Sequence, residues 1–125
     1  MHATTELRSG ACTMRIERHS ETELRLVIEG HDVGEFGDLP MRCIEAFMPA
    51  RGTVGLTIDA RRARGATLQV SNDWARWLGE HRHRFDAVTM QVASAYVRVI
   101  ADFVRRFAGL ESLMRIESSG SAVPR

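Results

Sequence analysis

The feature that most constrains this chain is a change in the period of its apolar residues. Residues 13–19 set Met14, Ile16 and Arg18 against Thr13, Arg15 and Glu17, and residues 24–30 place Leu24, Leu26 and Ile28 on one side. Such alternation buries one face of an extended chain, and the polar link SETE between the runs predicts an antiparallel hairpin. Beyond it, helical spacing takes over. Ile44, Phe47 and Met48 recur at helical intervals behind Asp38, a candidate N-cap, and Pro40, which a first turn tolerates. Pro49 disfavours helical geometry at Met48, so the helix should stop there.

Residues 53–59 (TVGLTID) are a short apolar run suited to a buried strand. Val70, Trp74, Trp77, Leu78 and His81 share one face of a helix predicted over 68–82, with Thr67 as its cap. Residues 85–94 read as the next strand. Val97, Ile100, Ala101, Val104, Phe107 and Ala108 then mark a helix over 95–108, capped by Ser94 and stopped by Gly109. A last strand falls within 110–118. The order ββαβαβαβ predicts a single-domain α/β fold: a mixed sheet with an N-terminal antiparallel hairpin and crossover helices. The domain is expected over 13–118, after a flexible segment 1–12 and before a disordered tail 119–125.

Composition narrows the function classes. A chain of 125 residues, 44% hydrophobic and 26% charged, supports one ordinary core. A net charge of +1 gives no general pull toward nucleic acid or anionic membrane. No apolar run approaches a membrane span and none resembles a leader, so a cytoplasmic location is expected. All 17 basic residues are arginine, a uniform bias that weakens the case for any one of them as a selected anion clamp. Cys12 and Cys43 lack metal or redox spacing and read as small free thiols.

The order of elements, the strand ending IDARRARGA and the run RFDAVTMQVASAYVRVIADFVRRF resemble bacterial STAS-like proteins of the SpoIIAA-like type, over about residues 13–118. In that group a strand ends in a short Asp-containing pattern, here Ile58-Asp59-Ala60. A helix with a tryptophan–leucine pair follows, here Trp77-Leu78. The resemblance implies a regulatory, protein-docking fold. In its anti-sigma-factor antagonists, a serine at the start of the second helix accepts phosphate within an Asp-Ser-x-Gly-like motif. At those positions stand Thr67 and Leu68, with Ser71 farther along, so the Asp-Ser pair is absent. Many relatives also carry a helix after the last strand, where this chain has SGSAVPR. One sheet face is therefore expected to be less covered, or to meet a partner.

The candidate sites carry competing readings. Asp59 at a strand's carboxyl end sits where open α/β sheets bind ligands, or it orders the next turn by accepting N–H bonds. Arg61, Arg62 and Arg64 either pair with phosphate or an acidic partner, or form a solvated loop. With Thr67, Ser71 and Asp73 these residues make the candidate interaction surface. Trp74 and Trp77, with Phe103 and Phe107, either flank an apolar pocket or belong to the core. Glycine-rich nucleotide loops are absent. His81 and His83 would diverge by about 200° on a helix, so no metal site is expected. His31-Asp32 has the elements of an acid–base pair but no evident nucleophile, and Ser94 lacks a nucleophile elbow.

The resulting expectation is a non-enzymatic regulatory or protein-interaction domain, without cofactor or metal. It would dock a protein partner or a second copy through the loop after strand 53–59 and the helix that follows. The alternative is a binder of a small apolar ligand or lipid between sheet and helices. A third reading is a phospho-switch at Thr67 or Ser71.

Overall fold

The computed structural model describes residues 3–118 as one six-stranded sheet with three helices. The strands are β1 (Ala3–Arg8), β2 (Cys12–Ser20), β3 (Glu23–Asp32), β4 (Val54–Ala66), β5 (Phe85–Val92) and β6 (Met114–Ser118). The helices are α1 (Leu39–Phe47), α2 (Leu68–Glu80) and α3 (Ala95–Phe107). Spatial order equals sequence order, β1 to β6. The first three strands are antiparallel and β3 to β6 run parallel, as a hairpin followed by crossover helices requires.

The alternation places Met14, Ile16, Leu24 and Leu26 in the core with Leu56, Ile58, Val88 and Met114. All three helices lie on that side. Trp77 Nε1 donates to Glu45 Oε2 at 2.7 Å, tying α2 to α1, and Ile44 is fully buried. Among the described residues no helix packs on the other face, which carries Arg15, Arg25, Thr57, Asp59, Thr89 and Gln91.

Helix boundaries follow their caps. Thr67 Oγ1 accepts the Val70 N–H at 3.2 Å and Ser94 Oγ accepts the Val97 N–H at 3.1 Å, as predicted. The α1 helix ends at Phe47 with Met48 extended before Pro49. Asp38 departs from expectation: its side chain caps nothing and instead faces Arg42 across 3.3 Å. The α2 helix stops at Glu80, short of residue 82, and a 3-10 turn (Arg82–Arg84) leads into β5.

Two larger corrections concern the strands. Part of the expected flexible segment 1–12 is strand β1, paired with β2 from Ala3↔Arg18 to Arg8↔Thr13. Its pattern was weak because Leu7 alone packs on the core while Thr4, Glu6 and Arg8 are exposed, and backbone pairing supplies the rest. The first element is therefore a three-stranded antiparallel unit. The expected loop after residue 59 is not a loop either: β4 continues to Ala66. The expected disordered tail, 119–125, lies outside the described residues.

Candidate functional site

The extension of β4 is irregular in an informative way. From Val27↔Asp59 to Glu29↔Arg62, β3 advances two residues and β4 three; from Gly30↔Ala63 to His31↔Gly65, β3 advances one and β4 two. Each step is a bulge with an extra residue on β4. The bulges convert a period of two into a period of three, matching DARRARGA. Ala60, Ala63 and Ala66 all turn toward the helices, whereas Arg61, Arg62 and Arg64 are exposed.

These small residues leave a hollow. A cavity of about 60 Å³ lies between the sheet and helices α2 and α3, walled by Leu26, Ile58, Val70, Trp74, Val97, Ile100 and Val104. The two helices meet tightly at their C-terminal ends: a Cβ on Gly79 would sit 3.1 Å from the Ala108 carbonyl oxygen. The cavity occupies the space nearer their N-terminal ends, at the carboxyl edge of the parallel strands, where open α/β sheets take ligands. At Gly65 the Tyr96 ring presses on the backbone, and a Cβ there would lie 2.6 Å from Tyr96 Cε2 and 3.2 Å from His31 Nδ1.

Two polar side chains line the cavity apart from the Trp74 indole. Ser71 is 5% exposed and its hydroxyl donates to the Thr67 carbonyl at 3.0 Å. Asp32 is 6% exposed, and one of its oxygens, Oδ1, accepts the Gly34 N–H at 2.9 Å. Its backbone carbonyl accepts from Thr67 N, fastening the end of β3 to the start of α2. Burial foremost, then the charges of Asp32 and Glu35, push the nearby Cys12 thiol up to about 11, which makes it a poor nucleophile.

The predicted interaction surface is divided between the two faces of the sheet. Asp59 lies on the uncovered face. The Arg61 guanidinium grips it through Nε–Oδ1 at 2.9 Å and Nη2–Oδ2 at 2.8 Å, and Arg25 Nη2 reaches Oδ2 at 2.7 Å. The Arg61 hydrogen bonds foremost, with Arg25 beside them, hold the Asp59 carboxyl at about 2 against the opposing effect of burial. Asp59 also accepts the Arg61 N–H at 3.2 Å, so its turn-ordering role survives inside a strand rather than a loop. Arg62 faces Glu29 at 3.7 Å. On the helix layer, Asp73 is paired with Gln69 and Arg76, Thr67 is a cap, and Ser71 is buried.

The predicted pocket residues are also divided. Trp74 walls the cavity. Trp77 is core: it stacks on His81 at 4.7 Å, meets Phe85 edge-on at 6.0 Å and bonds Glu45. Phe103 and Phe107 lie together with ring centroids 4.4 Å apart, outside the cavity lining, and Phe107 is 68% exposed. With Tyr96 and Val99 they form an apolar stripe on the outer side of α3. Among the described residues no His, Cys or carboxylate group clusters as a metal site. Among the described residues no helix is long and apolar enough to cross a membrane.

Sequence reasoning missed Ala60, Ala63 and Ala66, although the signal was present as alanine at every third position between arginines. Asp32 was noted only beside His31.

No protein-family model matches the chain, and no curated protein matches it. A solved structure does. The crystal structure of an uncharacterised protein of the DUF3478 family with a SpoIIAA-like fold, from Shewanella loihica PV-4, superposes with a TM-score of 0.56. The alignment covers 97% of this chain and 90% of that one at 14% identity. The chain is thus a single α/β domain with a SpoIIAA-like fold.

Proposed function

We propose that this chain is a non-enzymatic binding domain that takes a small apolar ligand between α2 and α3. The supporting observation is the hollow itself, floored by Ala60, Ala63 and Ala66 in a sheet otherwise packed with Val, Leu, Ile and Met. An empty cavity of about 60 Å³ costs roughly 1–1.5 kcal/mol, which an apolar ligand recovers by filling it. Occupancy would bear directly on the outer surface of α3, because Ile100 and Val104 line the cavity on the same helix that carries Tyr96 and Val99 outside. Native mass spectrometry of protein purified from cells, and calorimetric titration with cyclohexane, test the reading. Saturable binding that Ala60→Val abolishes supports it. A ligand-free mass together with no binding of hydrocarbon would end it.

Docking of a protein is a second reading, supported by the stripe on α3 rather than by the arginines of β4. Tyr96, Val99 and Phe107 are 56%, 65% and 68% exposed. Arg98, Arg105 and Arg106 flank them against a single carboxylate, Asp102. That charge suits a partner presenting apolar side chains within an acidic rim. Cross-linking mass spectrometry should place an acidic partner segment on α3, lost in Val99→Asp and retained in Arg62→Ala. The reverse pattern would return docking to β4.

A further inference from the structure

The open face of the sheet is not uniform. Toward β2 and β3 its charges lie in ion pairs, Arg15 with Glu17 and both Arg25 and Arg61 with Asp59. At the far edge, on β6, Arg115 pairs with Glu117. Between them runs a strip without charge, formed by Gly55 and Thr57 on β4 and by Ala87, Thr89 and Gln91 on β5. Hydrogen-bonding capacity is unspent in this strip. Among the described residues the Thr57 and Thr89 hydroxyls have no partner, and Gln91 Oε1 is the one buried side-chain polar atom without one. Parallel strands are usually covered on both faces, and the centres of protein interfaces are depleted in charge. An uncharged polar strip in the middle of a bare parallel sheet fits a surface that meets another protein.

We infer that a second copy of this chain covers the strip face to face, about a two-fold axis. This goes beyond the ligand reading and does not depend on it. The strand register selects the arrangement. Arg25, Thr57, Thr89 and Arg115 stand side by side in one row across the sheet, and Val27, Asp59, Gln91 and Glu117 in the next. An axis parallel to β5 would set Asp59 against the partner's Glu117. An axis along either row would set Arg115 or Glu117 against its own copy. Like charges oppose all of these pairings. An axis between the two rows lays each row on the other, as an isologous contact requires. Arg115 then faces the partner's Glu117, and Thr89 faces the partner's Gln91, each contact occurring twice. A hydroxyl both donates and accepts, so Thr89 can serve either end of that amide. The two rows with Gly55 and Ala87 cover roughly 300 Å² on each copy, from the spacing of strands and residues. That is well below the area of a stable complex, so the pair is transient, with a Kd on the order of 100 μM.

Sedimentation velocity of the full chain, from about 10 to about 500 μM, tests this. The sedimentation coefficient should rise toward that of a dimer across the range. Thr89→Arg buries a charge at the centre of the contact and should weaken association at least about tenfold. Glu117→Arg sets two guanidinium groups against each other and should also weaken it. The reversed pair, Arg115→Glu with Glu117→Arg, should recover association. Val99→Asp, on the outer side of α3, should leave it unchanged. A chain that stays monomeric throughout the range overturns the inference. A dimer lost in Val99→Asp and kept in Thr89→Arg also overturns it, and would place the second copy on α3. A reversed pair that fails to recover association does the same for the two-fold arrangement. Arg115 and Glu117 are solvent-exposed, so the wild-type series and the reversed pair decide the matter even if Thr89→Arg does not fold.

Discussion

The two faces of this sheet solve the same burial problem with opposite chemistry. On the helix side, Leu26, Ile58, Trp74 and Val104 pack around a small, mainly apolar hollow. On the uncovered side the charges are ion-paired, Arg15 with Glu17 and both Arg25 and Arg61 with Asp59. Parallel strands are usually covered on both faces, and here side-chain ion pairs stand in for the second layer. The contrast teaches where binding capacity lies. Asp59, the more conspicuous aspartate in the sequence, is saturated by its neighbours, whereas the hollow on the other face is left unfilled by the small side chains that floor it.

Four variants put that contrast under load. The largest effect should come from the covered face: Trp74→Ala removes a cavity wall and should destabilise the fold by about 3–5 kcal/mol in urea denaturation. Its counterpart on the open face, Arg115→Ala, should leave the midpoint unchanged, since that pair is solvent-exposed. Comparable losses from both would mean that the faces do not differ as described.

Asp59→Asn comes next. The folded carboxyl titrates at about 2 against an ordinary value of 3.8, so its ionised form is stabilised by folding. That contribution is fully present above the ordinary value and fades as pH falls through the folded one. Allowing for solvent screening at the half-exposed Arg61, the variant should lose roughly 1–2 kcal/mol at neutral pH. The gap between variant and parent should close in acid. A gap independent of pH would point to a packing effect instead.

A smaller change, of opposite sign, is expected from Ala60→Val, which adds two methyl groups facing the hollow. Filling empty apolar space should raise stability by about 0.5–1 kcal/mol, whereas a loss of that size would show that the walls cannot accommodate the group. Thermal denaturation without ligand reads the sign directly.

Much of the fold was legible because periodicity reports burial residue by residue. The hairpin, both capped helices after β4 and the stop at Pro49 follow from local pattern and side-chain chemistry. Strand β1 was not legible, since Leu7 is its only strong apolar signal and its partner strand supplies the backbone hydrogen bonds. The site was readable only in fragments. Trp74 was found by its helical stripe, but Phe107 turns outward and Phe103 packs at the core's edge outside the cavity, which spacing alone does not reveal.

The segment DARRARGA draws the boundary most clearly. By itself the sequence determined that arginines and small residues interleave after a buried strand, because composition and order are all it contains. Only the tertiary structure decided that the segment stays in the sheet. Pairing with β3 through two bulges turns the alanines inward and the arginines outward. Register is a property of two strands together, and a cavity is a property of every wall that fails to fill it.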